Sequence, residues 1–150
     1  MEYHARLVPV SGLKLHEQIV EDRVSYLIEQ ITNAGTFTTP IMVGKTYHGA
    51  DINVILDGHH RFAAAQQLGF ERIPAYLLDY GSSEIEVSAW PDSALAKEKL
   101  FSEQIKARVV DCVMRDELFP PKSTKHEIKD FTPIESGYPL GVLMPQAIEA

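Results

Sequence analysis

The chain holds a single cysteine, Cys112, among its 150 residues. One cysteine cannot form an internal disulfide, and it cannot build a cysteine-based zinc site. The sequence has no apolar run that approaches the length of a membrane span, and its N-terminus lacks the basic-then-apolar layout of a secretion signal. These absences predict a cytoplasmic enzyme or binding domain with no membrane partner.

Positive charge is scarce as well. The sequence has 14 Lys and Arg against 21 Asp and Glu, which gives a net charge of −7 at pH 7. This balance argues against a general nucleic-acid-binding surface, although it leaves room for a local basic site. The hydrophobic fraction of 45% is ordinary for a globular protein, so we expect one domain over residues 1–150.

The signature motifs of several enzyme classes are missing. The sequence contains no Walker A loop, no GxGxxG stretch, no nucleophile elbow and no HExxH pair. Its two adjacent histidines, His59 and His60, stand at a predicted helix start, where neighbouring side chains diverge by about a hundred degrees. We therefore do not expect a metal ion that is held by protein side chains alone.

The stretch 54–69, VILDGHHRFAAAQQLG, is the most informative part of the sequence. It predicts a buried strand, a turn and a helix whose C-cap is Gly69. A glycine lets other groups approach the backbone closely, and the first-turn N–H groups of a helix attract anions. The residues that could cradle a phosphate here are Gly58, His59, His60 and Arg61. Alternatively, Asp57 only caps the helix and the side chains that follow are solvated.

The remaining elements interleave along the chain. Strands are expected over residues 5–10, 40–43, 72–79 and 84–89, and helices over 21–35 and 94–118, the latter as one helix or two. Loops are expected over 11–17, 36–39, 45–51 and 119–126. The core of the domain is expected to span about residues 5–126, and residues 127–150 to form an edge strand or an irregular tail. Pro9 indicates a sheet edge, and Pro74 indicates an edge or a bulge. Since several connections are too short for parallel crossovers, the pattern favours an α+β domain with a small mixed sheet.

Three further places carry side chains suited to chemistry. Glu17 is a loop carboxylate, and Asp57 ends a buried strand, where the sites of open α/β sheets often form. Trp90 is the sole tryptophan and by itself is typical of core or rim packing. A proline-stiffened stretch near residue 120 could clamp phosphates, or could be an ordinary polar loop; its candidates are Lys122, Ser123, Thr124 and His126.

Taken together, these residues resemble a known superfamily. Residues 7–80 are similar in layout to ParB N-terminal domains and sulfiredoxins, with a strand, a helix, a PI-V strand, a strand that ends in DGHHR, and then IPAYLLDY. Sulfiredoxins carry Gly-Cys-His-Arg at this helix start. Because His59 stands in the place of that cysteine, sulfinic-acid reduction is not expected.

A closer resemblance is to the free L-serine kinases of the same superfamily. Four features carry it in matching order: the pair His16-Glu17 after the first strand, DGHHR at 57–61, Trp90 after the strand at 84–89, and PPKST-x-H at 120–126. The resemblance implies an α+β, ParB/sulfiredoxin-like kinase domain. Such a kinase transfers a phosphoryl group from ADP or ATP to the hydroxyl of free L-serine, giving O-phospho-L-serine, with Mg²⁺ as cofactor.

The resemblance also implies roles for residues. Glu17 would orient or deprotonate the serine, Asp57 would assist it or hold Mg²⁺ through water, and Trp90 would wall the serine pocket with Glu17. The phosphate-binding set would be Gly58, His59, His60, Arg61, Lys122, Ser123, Thr124 and His126.

The sequence leaves several matters open. It does not separate ADP from ATP as donor, serine from related hydroxy amino acids as acceptor, or one oligomeric state from another. The product would enter cysteine biosynthesis or another branch of amino-acid metabolism. The alternative function is a non-catalytic, nucleotide-binding regulatory domain of the ParB type.

Overall fold

The structure is a computed structural model that describes residues 3–47 and 51–145. Its strands are β1 (Ala5–Pro9), β2 (Leu13–Lys14), β3 (Thr36–Phe37), β4 (Ile41–Tyr47), β5 (Asp51–Asp57), β6 (Arg72–Asp79), β7 (Ile85–Ala89), β8 (Thr124–Ile128) and β9 (Tyr138–Pro139). Its helices are α1 (Glu21–Ala34), α2 (His59–Gln67) and α3 (Ser102–Met114), with 3-10 turns at Leu95–Glu98 and Leu140–Val142.

The main sheet has five strands in the order β1-β6-β4-β5-β2. Strand β6 is antiparallel to β1 and parallel to β4, while β5 is antiparallel to β4 and parallel to β2. Two short ladders, β3–β9 and β7–β8, complete the described part of the chain. The predicted α+β domain with a mixed sheet is confirmed.

Side chains are buried on both faces of this sheet. Along β6, Ile73 and Ala75 join a core with α1 and α2, whereas Tyr76 and Leu78 join a second core with α3 and the β7–β8 ladder. This two-sided burial follows from the period-2 alternation of a strand and explains the nearly continuous apolar runs in the sequence. The central strands are thereby held rigidly, and the residues at their ends are positioned with them.

The prediction for Pro9 is confirmed, whereas Pro74 marks neither a sheet edge nor a bulge, since β6 pairs in continuous register with both neighbours. Strand β1, which contains Pro9, lies at the edge of the main sheet, as predicted. Strand β6, which contains Pro74, lies between β1 and β4. Pro74 pairs only with Leu7 of β1, because the β4 partners begin at Ala75. The proline is tolerated inside the sheet because the second neighbour starts one residue later.

Several expected loops prove to be strands. The predicted connection 45–51 overlaps β4, which runs to Tyr47, and β5, which begins at Asp51; residues 48–50 lie outside the described residues. The predicted loop 119–126 overlaps β8, whose Thr124, His126 and Ile128 are buried. Because two of these three inward residues are polar, hydropathy alone does not reveal the alternation. The shorter strands β2 and β3 lie in the other two expected loops.

The helical predictions need smaller changes. Residues 94–118 form a 3-10 turn followed by α3, and not one continuous helix. Helix α2 ends with Leu68 as its C-cap, and Gly69 follows in the left-handed region with φ 79°. The stretch after residue 126 contributes Leu143, which is completely buried against the α1–α2 side of the sheet.

Candidate active site

A cleft of about 820 Å³ opens where β5 passes into α2. The start of α2, the residues before α1, and the segment leading into β8 form its walls. Of the residues singled out in the sequence, those that line the cleft are Glu17, Asp57, Gly58, His59, His60, Arg61, Trp90, Lys122, Thr124 and His126. Ser123 does not line it, since its side chain is buried and its hydroxyl donates to the carbonyl of Pro120 at 2.6 Å.

Gly58 makes the turn between β5 and α2. It is the N-cap of α2 with φ 98°, and its position leaves no space for a side chain, because an added Cβ would lie 2.5 Å from Cγ2 of Ile41. The first helical hydrogen bond runs from the N–H of Phe62 to the carbonyl of Gly58. The N–H groups of the three residues between them therefore have no acceptor within the helix, as in an anion-binding helix start.

Asp57 is not the helix cap that the simpler interpretation expects. Gly58 takes that position, and α2 has no side-chain cap. The Asp57 carboxylate instead accepts a hydrogen bond from Arg61 at 3.1 Å. The Arg61 guanidinium also donates to the carbonyls of Thr39 at 2.6 Å and Pro40 at 3.0 Å. Arg61 thus ties α2 to the segment before β4, which leaves it few donors for a ligand.

Glu17 is buried, with 7% of its surface exposed. Its Oε1 accepts the N–H of Lys122 at 3.0 Å, and its Oε2 accepts both the N–H of Thr124 at 3.0 Å and the Thr124 hydroxyl at 2.6 Å. Burial of the carboxylate favours its neutral form, but hydrogen bonds from His16 and Thr124 outweigh burial and lower the pKa of Glu17 to about 2. Glu17 is therefore an ionised carboxylate fixed by residues that lie far along the chain.

Three histidines are buried behind this carboxylate. The His16 ring stands edge-on to His59, with ring centroids 4.4 Å apart, and to His126, with centroids 5.4 Å apart. Burial, with repulsion from His16, lowers the pKa of His59 to about 3. Burial likewise holds the pKa of His126 well below its ordinary value, and its Nε2 lies 2.9 Å from the hydroxyl of Tyr80. His59 and His126 are therefore neutral at pH 7.

The neutral histidines predict a pH dependence of stability. In the unfolded chain a histidine binds a proton near pH 6.5, so below that pH the unfolded state binds more protons than the folded state. We expect the free energy of unfolding to fall below about pH 6.5, by up to about 1.4 kcal/mol per pH unit for each neutral histidine. His59 contributes to this fall in stability down to about pH 3, below which it is protonated in the folded protein as well. Urea unfolding at a series of pH values measures this slope, and an equal slope in His126→Leu would contradict the assignment.

Positive side chains gather at the mouth of the cleft. Arg23 from the first turn of α1 and Lys122 both line it, and among the described residues neither has an ion-pair partner. His60 lines the same cleft. Partial burial, followed by repulsion from Arg23 and Lys122, lowers the pKa of His60, and its Nε2 accepts the N–H of Val20 at 3.0 Å. Sequence reasoning missed Arg23, because a basic residue on the polar face of an amphipathic helix carries no distinguishing signal.

Trp90 closes another side of the cleft. It is 38% exposed, its indole N–H donates to the carbonyl of Thr124 at 3.1 Å, and the Lys125 ammonium lies 5.2 Å from the ring centroid. The ring is thus held at the rim by β8, with a cation over its face.

Two findings bear on metals and membranes. Within residues 3–47 and 51–145, no group of three or more His, Cys, Asp or Glu side chains could hold a metal ion. In the same residues, no helix has both the length and the apolar character that crossing a bilayer requires.

The structure is a small α+β domain, with a mixed sheet, helices on both of its faces and a cleft at the junction of β5 and α2. The family model of the ParB N-terminal domain matches residues 6–89. The chain therefore belongs to the ParB N-terminal domain family.

Curated relatives support this assignment and carry specific names. An ADP-dependent L-serine kinase of Thermococcus kodakarensis is 39% identical over 83 residues, which are 55% of this chain and 34% of that protein. An ATP-dependent L-serine kinase of Staphylothermus marinus is 32% identical over 115 residues, 75% of this chain and 45% of that protein. A ParB-like protein of Sulfolobus acidocaldarius is 37% identical over 98 residues, 62% of this chain and 46% of that protein. The matches thus span less than half of each relative.

Solved structures share the fold over almost the whole chain. A conserved hypothetical protein from Pyrococcus furiosus superposes with a TM-score of 0.78 at 22% identity, covering 96% of this chain and 98% of its own. A free serine kinase in complex with AMP superposes with a TM-score of 0.74 at 22% identity, covering 93% of each chain. At this identity the likeness establishes the fold.

Proposed function

We propose that this chain is a nucleotide-dependent kinase that phosphorylates the hydroxyl of free L-serine. The observation that carries the proposal is a single cleft that places a buried, ionised carboxylate, Glu17, beside a helix start and two cations, Arg23 and Lys122. The names of the curated relatives, ADP- and ATP-dependent L-serine kinases, supply the substrate class. Residues 1–150 would form one kinase domain.

The phosphate groups of ADP or ATP would bind at the start of α2. The free N–H groups after Gly58 point outward from the helix, and His60, Arg23 and Lys122 add donors around the same opening. In a protein of net charge −7, the cations Arg23 and Lys122 form a local basic site that suits a polyanionic nucleotide. Arg61 would act mainly by holding this helix in place, because most of its donors bind protein carbonyls and Asp57.

The serine hydroxyl would be oriented by Glu17. A carboxylate has roughly four acceptor positions, and Glu17 uses three of them for Lys122 and Thr124. The position that remains on Oε1 can accept the serine hydroxyl, with Trp90 as one wall of the amino-acid pocket. A carboxylate with a pKa of about 2 is a weak base, so Glu17 would take the proton late, as the oxygen bonds to phosphorus.

Asp57 fits a role in binding Mg²⁺. Its side chain is 57% exposed at the cleft, and of its two oxygens Oδ2 is the one that accepts Arg61. A single carboxylate that shares the ion with nucleotide phosphates and water is a common arrangement for this cation. Mg²⁺ held there would neutralise charge on the phosphates during transfer.

Product analysis by mass spectrometry tests the proposal. The purified protein is incubated with Mg²⁺ and L-serine, with ADP in one reaction and ATP in another, and with threonine or homoserine in parallel. O-phosphoserine with AMP would identify an ADP-dependent kinase, and O-phosphoserine with ADP an ATP-dependent one. Nucleotide binding without any phosphorylated product would refute the proposal and favour a non-catalytic, nucleotide-binding regulatory domain; the family model and one relative carry the ParB name.

Cellular placement is part of the proposal as well. A kinase of free serine draws on cytoplasmic pools of nucleotide and amino acid, so we propose a cytoplasmic enzyme. Its O-phosphoserine would feed cysteine biosynthesis or another reaction that displaces the phosphate.

Arg23 offers a direct test of the nucleotide site. We expect Arg23→Ala to weaken nucleotide binding about ten- to a hundredfold, because it removes one charge-assisted contact of about 1.5–3 kcal/mol. The loss should shrink at high salt, since the contact lies at the cleft mouth. Isothermal titration with ADP and ATP measures it, with Arg6→Ala on the exposed surface of β1 as the matched control. Equal affinity in the two variants would remove Arg23 from the site.

A further inference from the structure

The hydrogen bonds around His16 fix one of its ring hydrogens. The ring is completely buried, and its Nδ1 lies 2.7 Å from the carbonyl oxygen of Ile55 in β5. A carbonyl oxygen accepts hydrogen bonds and cannot donate one. Nδ1 of His16 therefore carries a hydrogen.

The other ring nitrogen belongs to a chain of two short contacts. Nε2 of His16 lies 2.8 Å from the Thr124 hydroxyl, and that hydroxyl lies 2.6 Å from Oε2 of Glu17. Each contact needs a hydrogen, but a threonine hydroxyl has only one. The second hydrogen must come either from Nε2 of His16 or from a protonated Glu17.

The contacts of Glu17 decide between the two. Its oxygens receive two backbone N–H groups in addition to the hydroxyl, and a carboxyl that accepts two or three such bonds stays ionised. The Thr124 hydroxyl then donates to Glu17 and accepts from Nε2. His16 is left with hydrogens on both nitrogens, which makes it a cation.

The surroundings of the His16 ring agree with a cation. Three titratable side chains pack against it: Glu17 beside it, His59 from α2 and His126 from β8. Nε2 of His59 accepts the backbone N–H of His16 at 3.3 Å and lies 3.1 Å from Nδ1, so it presents a lone pair to the ring. Both neighbouring histidines are neutral, and Glu17, with Oε2 3.4 Å from Nε2, is the counter-charge.

We propose that His16 is a buried imidazolium that acts through Thr124 as a positioning residue for Glu17. It keeps the Glu17 carboxylate ionised and holds Oε2 in fixed bonds, so that the remaining acceptor position of Oε1 faces the cleft. The catalytic part of this inference rests on the proposed kinase function. The charge state of His16 does not, because it follows from the hydrogen bonds of the ligand-free protein.

Nitrogen-15 NMR of the histidine rings tests the charge state near neutral pH. We expect both ring nitrogens of His16 to show the shifts and one-bond couplings of protonated nitrogens. His59 and His126 are internal controls, each with one protonated and one bare nitrogen. A bare nitrogen on His16 would overturn the proposal, whether or not the protein proves to be a kinase.

Two variants of Thr124 test the link to Glu17. Thr124→Ser keeps the bridging hydroxyl, whereas Thr124→Val replaces it with a methyl group of similar size. In a carbon-13 titration of the Glu17 carboxyl, we expect the pKa to rise by about one unit or more in Thr124→Val and to stay near its original value in Thr124→Ser. If kinase activity is found, the acid limb of its pH profile should move to higher pH in Thr124→Val alone. Equal Glu17 titration in the two variants would overturn the positioning role.

Discussion

In the proposed serine kinase, Glu17→Gln is expected to lower turnover by on the order of a hundredfold or more. The amide cannot take up the proton of the serine hydroxyl, and its NH₂ group would face one of the donors that now bind the carboxylate, the N–H groups of Lys122 and Thr124. The effect should fall on kcat, with a smaller change in the KM for nucleotide, since the proposed phosphate site lies at the start of α2. Steady-state kinetics with coupled detection of O-phosphoserine measures both constants.

The control for this variant is Glu29→Gln, which changes the same functional group on the exposed face of α1. Thermal unfolding of both variants shows whether a loss of turnover has a structural origin. Turnover within a few-fold of the original protein would exclude Glu17 from the reaction.

Gly58→Ala is expected to destabilise the protein strongly, with a loss of about 2–5 kcal/mol in the free energy of unfolding. Overpacking against Cγ2 of Ile41, which would lie 2.5 Å from the new Cβ, contributes about 1–3 kcal/mol. A left-handed backbone at φ 98° adds about 1–2 kcal/mol for a residue with a side chain. Relief of the clash would move the start of α2, so affinity at the proposed nucleotide site should fall together with stability.

Gly12→Ala separates the two contributions. Gly12 has a similar φ of 89°, but nothing lies within 4 Å of the Cβ position. Gly12→Ala should therefore lose only the backbone contribution to the free energy of unfolding, about 1–2 kcal/mol. Urea unfolding of the two variants gives the difference that is due to Ile41, and equal losses would show that the turn relaxes freely.

The local sequence pattern was sufficient to predict the helices and strands that bury apolar side chains. The stripe of Val24, Leu27 and Ile31 gives α1 almost to the residue, and the run before Asp57 gives β5. The same stretch also pointed to the turn and helix start that now border the cleft. Hydrophobic periodicity works here because these elements pack directly on the sheet.

The local sequence pattern did not predict the structure where the buried side chains are polar. Strand β8 turns Thr124 and His126 inward, where they bind Glu17 and Tyr80, so its buried positions look hydrophilic in the sequence. The charge of His16 also has no local signature, since it depends on Ile55 and on a hydroxyl 108 residues away. Such features come from tertiary contacts, which a single sequence does not display.

The bond between Glu17 and Thr124 has a consequence for how the protein acquires its site. The two residues are 107 positions apart, and the adjoining backbone pairs Glu17 with Phe119 in an isolated bridge. Contacts of such long sequence separation require a large loop to close, and they form slowly compared with local structure. Helices α1 and α2 can form while the last third of the chain is still absent, but the carboxylate then has none of its Lys122 and Thr124 donors. Assembly of the cleft is therefore a late step in folding. A chain that is cut before residue 119 would keep Glu17 and His16 but would lack the residues that position them.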